Sequence, residues 1–158
     1  MLKPAAAIAT LALIAMPAAA LDGSEEVVRA LYRDGQPDTV AEADRWLARD
    51  VAAAYKRDLA ADEPRPSTDF DWRYGSQEYE PSNLIFYRAE IVSSPGELPT
   101  LEEMSVEFRS FGNGPYKVTW TLCLGEKGWR VANVRSRDTG GGWDLREMLD
   151  LPRRPVQC

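Results

Sequence analysis

Residues 104–137 read MSVEFRSFGNGPYKVTWTLCLGEKGWRVANVRSR, and this stretch decides the fold because it spells three consecutive strands joined by two tight turns. Met104 to Phe111 forms the first strand, and Gly112-Asn113-Gly114-Pro115 is a run of turn-forming residues. Tyr116 to Leu124 then alternates. Tyr116, Val118, Trp120, Leu122 and Leu124 fall on one face and Lys117, Thr119, Thr121 and Cys123 on the other, the period-two pattern of a strand buried on one side. After Gly125-Glu126-Lys127-Gly128, the apolar residues Trp129, Val131 and Val134 break strict alternation by one position, as a β-bulge would. The pattern predicts an antiparallel sheet with other elements covering it.

Outward toward the N-terminus, Leu84 to Ser93 is rich in β-branched and aromatic residues and reads as a long strand ending at Pro95-Gly96. Two helices precede it. Ser24 is placed to cap the first, with Glu25 and Glu26 in its first turn and Val27, Val28, Leu31 and Tyr32 on its buried side. Thr39 and Glu42 have capping-box spacing at the start of a second, longer helix. Its apolar stripe is Val40, Ala43, Leu47, Val51, Ala54 and Leu59. Pro64 and Pro66 end that helix, and Asp69 to Tyr79 reads as a turn or short helix at a domain edge. Past the three strands, Gly140 to Gly142 break the backbone and Asp144 to Leu151 read as a short terminal helix.

The first twenty residues carry Lys3, an apolar run from Ala5 to Met16 and the small-residue site Ala18-Ala19-Ala20, the layout of a cleaved secretory signal peptide. The apolar run is shorter than the ~20 residues of a membrane span and is interrupted by Thr10 and Pro17. No cysteine stands near the cleavage site to take a lipid. Residues 21–158 then form one domain, periplasmic or secreted, with no membrane anchor after cleavage. The net charge of −6 becomes −7 when Lys3 is removed. No basic stripe is present, so nucleic acid is a poor partner.

Two cysteines in an exported chain point to a disulfide. Cys123 lies on the polar face of its strand, and the stiff segment Pro152 to Gln157 can bring Cys158 back across the outer face toward it. The alternative is that Cys158 pairs between chains. The sequence has no histidine, which removes the usual general base, His metal ligands and every Ser-His or Cys-His arrangement. No cofactor and no metal is expected. Asp69 and Asp71 can act as paired carboxylates or as turn caps, and the triple glycine lacks the Lys-Ser/Thr pair of a phosphate loop. Trp129, on the same face as Val131, is expected in the core.

The order of helix, long helix, turn and alternating sheet closed by a Gly-Trp-Arg-Val strand resembles the nuclear transport factor 2-like superfamily. Within it the chain is most similar to an exported bacterial family of unknown function. The residues that carry the likeness are Val28 to Tyr32, Asp71 to Gln77, Val106 to Phe108, Gly128 to Val131 and Leu145 to Leu149. The resemblance implies an α+β fold: a cone-shaped curved antiparallel sheet, N-terminal helices packed on its concave face, and a pocket at the open end. Where those relatives tend to carry acidic residues after Trp-Arg-Val, this chain has Ala132 and Asn133.

From this come three function classes. The first is a non-catalytic periplasmic binding or interaction domain taking a small polar ligand, with the 71–79 turn bringing Tyr74 and Gln77 near Asn133 as ligand-binding residues. The second is a small pocket enzyme of isomerase, dehydratase or hydrolase type, with Asp71 as its base and Tyr74 assisting. The third is a structural or inhibitory partner of another envelope protein.

Overall fold

The computed structural model describes residues 23–139 and 141–158. The signal-peptide reading and the start at Leu21 lie outside the described residues. The chain is α+β, with a six-stranded, curved antiparallel sheet and five helices among the described residues. In chain order these are α1 (Ser24–Asp34), α2 (Val40–Trp46), α3 (Arg49–Leu59), α4 (Pro66–Asp69), β1 (Pro81–Phe86), β2 (Glu90–Ile91), β3 (Leu101–Ser110), β4 (Asn113–Gly125), β5 (Gly128–Ser136), β6 (Trp143–Asp144) and α5 (Leu145–Met148). The sheet order is β1-β3-β4-β5-β6, with β2 on the same side of β3 as β1.

The two hairpins are those the alternation predicts, with one shift at the first turn. Its two central residues are Phe111 and Gly112, at φ +51° and +74°, and Asn113 already pairs with Ser110. Positive φ at both positions matches the right-handed twist of the flanking strands, so a two-residue connection suffices. Asn113, Gly114 and Pro115 therefore belong to β4. The bulge falls at Ala132: Thr121 pairs with Asn133 and Leu122 with Val131, leaving Ala132 without an opposite residue.

One face of the sheet is apolar. Met104, Val106 and Phe108 of β3, Val118, Trp120 and Leu122 of β4, and Val131 and Val134 of β5 are all buried there. Helices α1, α2 and α3 contact β5 on that side, and α1 also reaches β4. Aromatic rings fill the space between. Tyr55 meets Trp72 at 6.5 Å between centroids, Trp72 meets Trp120 at 5.5 Å, and Trp120 meets Tyr32 at 5.7 Å. Burying these rings removes a large apolar area from water, which is the main stabilising term.

The helix expected from Thr39 to Leu59 is two helices. At Leu47 and Ala48 the chain leaves the helix, Leu47 bridges Val131, and the Ala48 N–H donates to the Val131 carbonyl at 2.8 Å. The cause lies in β5, whose outer neighbour β6 covers only Arg135 and Ser136. Ladder groups left open near Val131 must be satisfied, and the helical chain supplies them. Thr39 does cap α2, accepting from the Glu42 N–H at 3.2 Å, while Glu42 reaches back to the Asp38 N–H at 3.1 Å. Val40, assigned to the apolar stripe, is 54% exposed.

Other expectations are corrected. Gly23, not Ser24, is the N-cap of α1, and the Ser24 hydroxyl instead donates to Glu102. The strand read from Leu84 to Ser93 is broken into β1 and β2, and β1 begins earlier, at Pro81. The terminal helix covers only Leu145–Met148 because Asp144 is its cap, accepting from the N–H groups of Arg146 and Glu147. Trp129 is half-buried at the rim of the core, opposite the exposed Leu124 at the hairpin end.

Cys123 and Cys158 are disulfide-bonded with Cα atoms 6.0 Å apart. Cys123 is fully buried although it stands on the polar face, because the C-terminal tail lies over it. The tail passes so close to Gly125 that a Cβ there would sit 3.1 Å from both Cys158 Cβ and its carbonyl oxygen. Among the described residues no helix is long and apolar enough to cross a membrane.

Candidate functional site

The 71–79 turn is the element that shapes the site, and Asp71 builds it. The Asp71 carbonyl accepts from the N–H groups of Gly75 at 2.8 Å and Tyr74 at 3.2 Å, and its carboxylate accepts from the Arg73 N–H at 3.0 Å. The Arg73 guanidinium then closes on the same carboxylate, with Nη2 at 2.6 Å and Nε at 2.9 Å. Burial works against the Arg73 charge, but the hydrogen bond and attraction from Asp71 outweigh it and raise its pKa. Two further bonds fasten the turn to α1: the Tyr32 hydroxyl donates to the Arg73 carbonyl at 2.6 Å, and Arg73 Nη1 donates to the Leu31 carbonyl at 3.3 Å. Asp71 is thereby committed to holding a loop.

Fixed in this way, the turn presents Tyr74 and Tyr79, stacked at 4.3 Å, beside the β3–β4 hairpin. Tyr74 meets Phe108 edge-on at 5.3 Å, and Phe108 meets Tyr116 at 5.9 Å. Between these rings lies a cleft of about 280 Å³, whose polar lining includes Ser110, Asn113, Glu78 and Asp138. Gly75 shapes the wall. At φ +68° it comes so near Thr139 and Trp143 that a Cβ would lie 2.0 Å from Thr139 Oγ1 and 2.6 Å from Trp143 Nε1, so no larger residue fits.

Protonation in the cleft is simple. Burial pushes the Tyr74 pKa up, and burial followed by a hydrogen bond to Asp71 does the same for Tyr79, so both hydroxyls stay neutral. Tyr74 is 6% exposed, and its hydroxyl has no hydrogen-bond partner among the described residues. The two charged residues of the lining are acidic, and neither forms an ion pair among the described residues.

The three expected ligand residues are not brought together. Tyr74 lines the cleft. Gln77 points away from it, donating to the Asp69 carbonyl at 3.1 Å and carboxylate at 2.8 Å on the exposed side of the turn. Asn133 lines a separate groove of about 250 Å³ on the other face of the sheet. There its Nδ2 donates to Asp144 at 3.0 Å, and its Oδ1 accepts from the N–H groups of Val134 at 2.9 Å and Arg146 at 3.1 Å. These bonds satisfy groups that the bulge and α5 leave open, the structural role of a buried amide.

Arg146 completes that second region and was not singled out by sequence reasoning. It is 1% exposed, and its guanidinium donates to Asp50 at 2.7 Å, to the Pro152 carbonyl at 2.7 Å and to the Ala132 carbonyl at 3.2 Å. One side chain thus ties α3, the tail and the bulged residue. The signal available was the bulge itself, since an unopposed backbone carbonyl inside a sheet needs a donor. The groove's remaining charges pair with neighbours: Arg135 with Glu103 at 3.0 Å, Arg153 with Glu147 at 2.6 Å and Arg154 with Glu97 at 2.6 Å. Among the described residues no group of three or more acidic or Cys side chains is placed to hold a metal ion.

Compared with family models, curated proteins and solved structures, the chain finds no match.

Proposed function

We propose that this protein is a non-catalytic periplasmic or secreted binding domain of nuclear transport factor 2-like type, seating a small ligand in the cleft between the 71–79 turn and the β3–β4 hairpin. The observation that carries the reading is the cleft itself. It is walled by Tyr74, Tyr79, Phe108 and Tyr116, with a few polar groups at fixed positions, which is the make-up of a small-molecule site. The helices lying over the apolar face of a curved sheet support the cone, and the position of the cleft at a hairpin end supports its mouth.

The state of the carboxylate named for the enzyme reading favours binding over catalysis. Asp71, the carboxylate that the enzyme reading needs, is held by Arg73 and by backbone N–H groups, and the chain has no histidine to replace it. Export is part of the same proposal, resting on the N-terminal signal pattern and on the disulfide.

Native mass spectrometry of the full chain recovered from the envelope fraction tests the reading. The wild type is expected to carry a dissociable small mass that Tyr79→Ala, folded to the same circular dichroism spectrum, has lost. Equal retention by both proteins would overturn the assignment of the cleft.

A further inference from the structure

The charge at the cleft sets its ligand class. Of the residues lining it, those with a formal charge are Glu78 and Asp138, both negative. Asp138 accepts from the Lys117 backbone N–H at 3.2 Å and forms no ion pair among the described residues, although Lys117, Arg135 and Arg137 share a second hollow with it, and Glu78 meets its neighbours through its backbone, donating from N–H to Ser76 Oγ at 3.2 Å. Three cations near the cleft are engaged elsewhere, and Arg137, next to Asp138 in the chain, is exposed and does not line it. Arg73 is closed on Asp71, the Lys117 ammonium lies over the Tyr87 ring at 5.6 Å, and Arg109 donates to the Gly112 carbonyl at 3.5 Å.

Two acids beside an aromatic wall attract one kind of small molecule most. The face of each ring carries partial negative charge, so a cation against Tyr79 or Tyr116 gains from the ring and from the carboxylates together. A neutral guest gains only the first of these through dispersion, and an anion is repelled. The protein's own use of the same ring system agrees with this, since the Arg73 guanidinium lies 5.3 Å from the Tyr74 centroid. The polar grooves on the opposite face have no such bias, because Glu103 and Arg135 pair across them.

We propose that the cleft binds a small organic ammonium cation, with Tyr79 and Tyr116 as its aromatic contacts and Glu78 and Asp138 as its counter-charges. The proposal rests on the binding-cleft reading above and narrows it to a ligand class. Glu78 is exposed and outside the core, so its replacement leaves the fold intact.

Isothermal titration of the full mature chain with choline, and with the neutral isostere in which carbon replaces its nitrogen, tests this directly. Choline is expected to bind at least about tenfold more tightly than the isostere, and Glu78→Gln to weaken choline by about three- to tenfold without changing the isostere. Raising the salt by about 25-fold is expected to weaken choline alone, since exposed charges are screened. Equal binding of the two compounds would overturn the cation class and leave the binding cleft standing. If neither binds the wild type, the cation class is overturned, and the mass retained on native protein then decides the binding-cleft reading separately.

Discussion

Two ends of one apolar face use the same kind of side chain to opposite effect. Between the helices and the middle of β4, Tyr32, Tyr55, Trp72 and Trp120 interlock, and both tryptophans are fully buried. Toward the β3–β4 hairpin, Tyr74, Tyr79, Phe108 and Tyr116 also touch one another, yet they leave an open cleft of about 280 Å³. The difference comes from cover. Helices lie over the first group, whereas the second is covered by the 71–79 turn, held by Asp71 and Arg73, and touched by α1 only through Tyr32, which meets Tyr74 at 5.5 Å. Packed aromatics supply stability, and aromatics left beside a void supply a surface for a guest.

The sharpest way to break this contrast is to cut into the packed end. Trp120→Ala removes a ring with no exposed surface and is expected to cost about 3–5 kcal/mol in urea unfolding. A loss below about 1 kcal/mol would mean that the interior is loosely filled and that the two ends are alike.

Alkaline pH separates the ends next. Burial raises the pKa of Tyr32 far above its ordinary value and pushes Tyr55 up to about 12, in each case against the opposing effect of a nearby indole N–H, from Trp120 and Trp72 respectively. Tyr74 and Tyr79 are raised as well. An unfolded tyrosine ionises near pH ~10, so above that value the unfolded chain releases protons that the folded chain retains. Stability should therefore be complete below about pH 10 and fall as pH rises through about 12. With no histidine to titrate, it should be level between about pH 6 and 9. Tyr55→Phe should flatten the alkaline fall more than Tyr79→Phe does; the reverse order would place the stronger burial at the cleft.

Trp129 gives a smaller effect. Half-buried at the rim, it should lose about 1–2 kcal/mol on replacement by alanine, well short of Trp120. Smallest is Gln77→Ala, whose amide bonds lie on the exposed side of the turn. Its stability and its ligand retention should both stay near wild type, within about 0.5 kcal/mol for the first. Loss of the ligand in that variant would draw Gln77 back into the site.

How much of this was legible in the sequence follows from the range of the forces involved. Strand alternation and turn chemistry are local, so residues 104–137 alone indicate both hairpins and the bulge, and the first turn moves only because Phe111 accepts a positive φ. The break at Leu47 and Ala48 is not local. It answers an unfilled ladder position on β5, more than eighty residues away, and helix periodicity runs straight through it. The disulfide was readable because two cysteines, in a chain expected from its N-terminal pattern to be exported, leave one pairing within the chain. Of the expected ligand residues, Tyr74 lines the cleft, while Asn133 does not, because alternation from the bulge puts it on the opposite face of the sheet. Tyr79, Glu78 and Asp138 come together only through the folded turn, and no spacing in the chain announces them.

The central claim, that a ligand occupies the cleft and not the filled interior, is tested most directly by aromatic carbon–proton NMR. Spectra of the purified chain would be recorded while a small-molecule extract of the source cells is added. The account predicts shifts at Tyr79, Tyr116 and Phe111, with Tyr55 and Trp72 unmoved. Shifts at Tyr55 and Trp72 with the cleft rings silent would contradict it.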